Sequence, residues 1–193
     1  MNITPELLEL LVWWDFRLAV ALNVFVPLVL LVWAFKAQFA PLTSVAIAYW
    51  RVSSLLAITV YLMIGGFPIS FLTGAAARIL IVTCLWYGSD AAIAIPMDNR
   101  LVCQAFKVWR WIVTIYMGAG ALFSSLFVPC AFQSELSTTC QVWFQPPLGF
   151  KALFHPNVPA QTLGLIGAIG LVAYVVVFAL FLWQDNRRSP LSD

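Results

Sequence analysis

VAIAYWRVSSLLAITVYLMIGGFPISFLTGAAARILIVTCLWY, residues Val45 to Tyr87, is the stretch whose reading decides the fold: it contains two charges, Arg51 and Arg78, and is otherwise apolar or uncharged. A membrane-crossing helix needs about 20 mostly apolar residues. This run is too long for one crossing and must turn back inside itself. Gly65-Gly66-Phe67-Pro68 is the place to turn, because glycine takes the left-handed cap conformation and proline cannot continue the old helix but can start a new one. The split predicts spans over 45–64 and 69–87. Turning instead near Thr73 to Ala77 leaves only about eleven residues between Ile79 and Asp90, too few to cross.

Working outward, Leu18 to Phe35 is an uninterrupted apolar run bracketed by Arg17 and Lys36. Proline removes a helical hydrogen bond, so Pro27 is expected to kink it. Thr4-Pro5-Glu6 reads as a helix start, and Leu7, Leu8, Leu10 and Leu11 give the segment 1–16 an apolar face. It is expected to lie at the interface and to lead into Trp13-Trp14. No basic stretch or small-residue cleavage site marks a secretory signal there. Residues 111–128 and 163–183 supply two further spans. Between them, 129–161 reads as a long external loop rich in proline and aromatics, and 184–193 as a cytoplasmic tail. The expected architecture is all-α, a single membrane domain over 1–193: a polytopic bundle of five spans, with four spans plus a re-entrant 73–88 segment as the alternative.

Composition agrees with that class. Hydrophobic residues make up 63% of the chain and charged ones 9%, against roughly 25% charged in a soluble domain. Net charge is +2, with the basic residues scattered, so a nucleic-acid partner is not expected. With five spans, Lys36, Arg51, Arg100, Lys107, Arg110, Arg187 and Arg188 fall on or near one side and Arg17 and Lys151 on the other, seven against two. The excess marks the cytoplasmic face. The N-terminus and the 129–161 loop then face a lumen or periplasm. Cys130 and Cys140 lie in that loop, where thiols oxidise, whereas Cys84 falls in a span and Cys103 on the reducing side. A Cys130–Cys140 disulfide closing this short loop would stabilise by about 3 kcal/mol; two reduced thiols are the other reading.

Arg78 is the most unusual residue, since a guanidinium inside a span is costly unless it is paired or reaches the interface. It is either a counter-ion or ligand anchor, or an arginine bonded to neighbouring carbonyls or to a partner subunit. Its carboxylate must come from a span end, such as Asp15, from a lipid, or from another chain. The alternative is that Asp15 and Arg17 pair with each other. Arg51 and Arg110 are flanked by aromatics in Tyr49-Trp50-Arg51 and Trp109-Arg110-Trp111, as expected of side chains that snorkel to headgroups. Trp143 sits in the external loop. Gly164, Gly167, Ala168 and Gly170, and Gly118 to Ala121, permit close helix approach, within the chain or against a partner.

No Asp, Glu or His falls within a span, which argues against proton-coupled or ion-coupled transport and against internal histidine ligation of haem. No metal-ligand spacing, phosphate-cradling glycine loop or nucleophile with a base is recognisable. Catalysis is not expected.

Several motifs carry a resemblance: Trp14-Asp15-Phe16-Arg17-Leu18-Ala19-Val20; Tyr49-Trp50-Arg51-Val52 running through Leu55 to Gly66 and Pro68-Ile69-Ser70-Phe71; Trp109-Arg110-Trp111; and Cys140-Gln141-Val142-Trp143 with Pro146-Pro147. In these, over most of its length, the chain resembles a family of small polytopic membrane proteins of cyanobacteria and their relatives, catalogued as a domain of unknown function. The resemblance implies a membrane of an oxygenic phototroph, the thylakoid or plasma membrane, and a place near photosynthetic complexes. It supplies no catalytic residues. The expected function is a non-catalytic accessory or assembly factor binding subunits of a membrane complex such as a photosystem. Any lipid or pigment would sit at a subunit interface and not as an intrinsic cofactor. The competing expectation is an uncoupled channel or small-solute transporter lined by Asn23, Ser53, Thr59, Arg78 and Thr83.

Overall fold

The computed structural model describes residues 4–38, 40–87, 100–133 and 135–188, and among these every regular element is helical. Helix α1 (Pro5–Lys36) is continuous through a π-helical turn at Ala21–Phe25. Helices α2 (Ala40–Ile64) and α3 (Ser70–Trp86) follow, then α4 (Arg100–Ser125), short α5 (Thr138–Gln141), α6 (Gln145–Phe154) and α7 (Ala160–Arg188). Three helices are long and apolar enough to cross a membrane among the described residues: Pro5–Lys36, Leu42–Ile64 and Ala160–Leu180. Helix α3 is a shorter apolar helix, and α4 carries Lys107 and Arg110 in its first half. The protein is an integral membrane protein on this evidence.

The reversal between α2 and α3 falls where the glycines put it. Gly66 has φ +73°, in the left-handed region that glycine takes without a Cβ penalty. The Phe67 N–H donates to the Leu62 carbonyl and the Gly66 N–H to that of Met63, closing the end of α2 before α3 starts at Ser70. Helices α2 and α3 then pack side by side, with α4 on α3 and the C-terminal half of α1 on α2.

Helix α7 packs along the other flank of α2. Gly164, Gly167 and Gly170 face Gly65, Leu62 and Ile58, so the small-residue stripe works inside the chain. A β-carbon on Gly164 would stand 2.5 Å from the Cα of Gly65, and one on Gly167 2.9 Å from the Leu62 nitrogen. Gly118 faces open space.

Four expectations are corrected. Segment 1–16 is not a separate surface helix: the α-helical register runs from Pro5 into the apolar run, and Leu8 and Val12 are buried. Pro27, where a kink was expected, follows directly on the π-turn, and the helix continues through it to Lys36. Residues 100–107, left outside the expected 111–128 span, are the first turns of α4; 88–99 lie outside the described residues. The 129–161 loop is largely helical, because its prolines start helices: Pro129 opens a 3₁₀ turn at Val128–Phe132, and Pro146 and Pro147 occupy the first positions of α6, where a missing N–H costs nothing. At the other end α7 continues through Arg188, into what was read as tail.

Two buried clusters hold the bundle. One joins Leu30, Ala34, Leu42, Tyr49, Ile81, Leu85, Phe106, Trp109 and Met117 across α1 to α4. The other lies at the opposite end, where Leu8, Val12 and Phe71 meet Phe127, Cys130, Cys140, Trp143 and Phe144. Cys130 and Cys140 are disulfide-bonded, with Cα atoms 6.0 Å apart. The bond ties the 3₁₀ turn to α5 and makes the former loop a folded cap.

Candidate functional site

A largely buried ion pair lies where α1, α3 and α4 meet. Position 15 lies on the inward stripe of α1 (Leu8, Val12, Asp15, Asn23, Pro27, Leu30, Ala34), whose steps of three or four residues, with one of eight between Asp15 and Asn23, keep to one helix face. Arg78 lies on the buried face of α3 with Phe71, Ala77, Ile81 and Leu85. Its Nη2 donates to Asp15 Oδ2 at 2.5 Å, and the two side chains are 8% and 16% exposed. The Tyr116 hydroxyl, from α4, stands 2.9 Å from Asp15 Oδ1 and 2.7 Å from the Asp15 carbonyl oxygen. Both carboxylate oxygens are therefore engaged, one by a cation and one by a phenol. The Arg78 guanidinium carbon is also 6.0 Å from the centroid of the Tyr116 ring.

Gly120, one turn beyond Tyr116 on the same face of α4, makes room for this. A β-carbon there would collide with Arg78 Nη1. That nitrogen has no hydrogen-bond partner among the described residues. The arrangement is a clamp: one carboxylate joins three helices, in surroundings where charge is weakly screened and separation is costly.

Deeper along α1 a second polar node has a different origin. The Val26 N–H bonds to the Ala21 carbonyl in the π register. Pro27 has no N–H to offer, so the carbonyls of Leu22 and Asn23 lose their helical donors. Both find replacements from other helices. The Trp109 indole N–H donates to the Leu22 oxygen at 2.9 Å, and the Tyr49 hydroxyl lies 3.0 Å from the Asn23 oxygen and 3.1 Å from Asn23 Oδ1. The Asn23 amide donates back to Ala19.

The remaining candidates separate. Arg17 is exposed and does not pair with Asp15; its guanidinium lies over the indoles of Trp13 and Trp14, at 5.6 and 6.0 Å. Arg51 is exposed. Arg110 is buried, not snorkelling: it stacks 4.1 Å above the Trp86 ring, whose N–H donates to Thr114. Trp143 is at the centre of the disulfide cap against Phe71, Phe123 and Phe127. His155 meets the Tyr61 hydroxyl at 3.2 Å. The Cys103 thiol is buried. Tyr116 and Tyr49 were missed from sequence, since a tyrosine in an apolar span carries no local sign of its acceptor. No three His, Cys, Asp or Glu side chains come together among the described residues.

The chain matches, over residues 9–188, the family described as protein of unknown function DUF3177, and it belongs to that family. It matches no curated protein and no solved structure.

Proposed function

We propose that this protein is a non-catalytic accessory or assembly factor that holds other subunits of a membrane complex. The observation that carries this reading is the disulfide-closed cap. It is rigidly seated on Leu8, Val12 and Phe71, yet displays Phe132, Leu153 and Phe154 at 79%, 74% and 60% exposure. Exposed apolar side chains on a fixed platform are the kind of surface that partner subunits pack against. The polar groups of the bundle support the same reading, because they hold helices to each other: Asp15 with Arg78 and Tyr116, Asn23 with Tyr49, and Thr59 with Thr73, whose hydroxyls are 2.9 Å apart. The channel reading draws less support, since Ser53, Thr59 and Thr83 turn their hydroxyls onto carbonyls of their own helices and Thr83 is exposed.

In this proposal α1, α2, α3, α4 and α7 make five crossings, with the cap and N-terminus lumenal and the C-terminus cytoplasmic. The membrane proposed is the thylakoid of an oxygenic phototroph and the complex a photosystem, as the resemblance drawn from the sequence implies. The test is purification of a C-terminally tagged chain in mild detergent, which should recover other membrane subunits in fixed ratio. Recovery should fall when Phe132, Leu153 and Phe154 are changed to Ser. A clean monomer from the native membrane overturns the proposal.

A further inference from the structure

The geometry points to a binding site for an anionic lipid headgroup on the outer edge of the bundle, between α1 and α6, with Arg17 and Lys151 as its cations. Neither residue has a carboxylate partner among the described residues, because the nearest one in sequence to Arg17, Asp15, is held by Arg78 and Tyr116. The fold brings the two helices together beside these cations. Phe16 meets Phe150 edge-on at 6.4 Å, and the Trp13 ring lies against Gly149, where a β-carbon would approach Cη2 to 2.8 Å. Arg17 and Lys151 each follow the paired phenylalanines by one position.

Their position relative to a bilayer follows from α1. Residues 18–35 hold no charge, and the distance from Arg17 to Lys36 at a rise of about 1.5 Å per residue is about 28 Å, close to the roughly 30 Å of hydrocarbon. Arg17 therefore stands at one boundary and Lys36 at the other. A helical side chain points back towards the N-terminus, and Arg17 does so, lying along Trp13 and Trp14. Tryptophan is at home at headgroup depth. A guanidinium backed by two indoles, open to the outside and without an internal anion, matches a phosphodiester or sulfonate. Exposed Leu18 and Leu148 provide apolar contacts beside it for acyl chains.

The test uses the full chain in mild detergent and native mass spectrometry, with phosphatidylglycerol and phosphatidylcholine as probes. Phosphatidylglycerol should be retained in preference to phosphatidylcholine. Arg17→Gln or Lys151→Gln should each weaken that retention about fivefold, and the double variant about twenty-five-fold. Arg17→Lys should keep most of it. Unfolding without added lipid should be unchanged in all of them, because the Asp15–Arg78 pair is untouched. Equal retention of both lipids, or retention indifferent to Arg17→Gln and Lys151→Gln, overturns the inference. So does full competition by soluble glycerol phosphate, the mark of a free-anion site. Loss of a co-purifying protein in Arg17→Gln with lipid retention unchanged assigns the cation to a partner carboxylate and also overturns it.

Discussion

Asp15→Ala is the substitution on which the structure makes its firmest demand. It removes the acceptor of Arg78 at 2.5 Å and one acceptor of Tyr116 at 2.9 Å, leaving a guanidinium 8% exposed with no anion and with Nη1 already unpartnered. Removing one member of a buried pair typically costs about 3–5 kcal/mol. Asp15 is 16% exposed, so some water reaches the site and the expected loss is at the low end, about 3 kcal/mol. Removing both charges should cost much less, because apolar replacement of a whole buried pair is often close to neutral. Asp15→Leu alone should cost about 3 kcal/mol for the same reason as Asp15→Ala, and Asp15→Leu with Arg78→Leu should lie within about 1 kcal/mol of wild type, giving a coupling of at least about 2 kcal/mol. Tyr116→Phe should cost about 1–2 kcal/mol by deleting a hydrogen bond to a charged group. The assay is reversible unfolding in detergent micelles followed by tryptophan fluorescence. If Asp15→Ala does not accumulate, Asp15→Asn, which keeps an oxygen acceptor, supplies an intermediate point. A double variant that costs the sum of its singles, or an Asp15→Ala within about 0.5 kcal/mol of wild type, would refute the clamp.

Gly164→Leu should force α7 away from α2, because even a β-carbon there meets the Gly65 backbone at 2.5 Å. The expected loss is about 1–3 kcal/mol, whereas Gly118→Leu, facing open space, should be nearly silent in the same unfolding assay. Tyr49→Phe should cost about 1–2 kcal/mol in wild type by orphaning the Asn23 carbonyl, and much less in a Pro27→Ala background, where the restored N–H can take that carbonyl. Equal costs in the two backgrounds would refute the exchange of donors. A reagent that cannot cross membranes should label Cys130 and Cys140 only after reduction if the cap is lumenal. Labelling before reduction contradicts the disulfide.

How much of this could be read from the sequence depends on how local the cause is. The turn between α2 and α3 was legible because glycine and proline set backbone conformation within four residues, and Gly66 takes the expected left-handed φ. The stripe Gly164, Gly167, Gly170 was legible as close-packing surface, although nothing local named α2 as its partner. The same local rule misled in the cap, where prolines read as loop punctuation are helix starts whose missing N–H groups fall at unpaired positions. Asp15 was among the named candidates for Arg78 because carboxylates are scarce in this chain. Choosing between Arg17 and Arg78 for it needed the fold.

The Pro27 node lies beyond any local rule. Its proline is visible in sequence, and so is the need to replace the lost donors. The replacements come from Tyr49 and Trp109, which stand 26 and 87 residues from their acceptors. In water a freed carbonyl is solvated and exerts little pull on the fold. In hydrocarbon it must be met by another helix. A proline in the first apolar helix therefore helps fix where α2 and α4 lie against it, so that a feature local to one helix also bears on the packing of three.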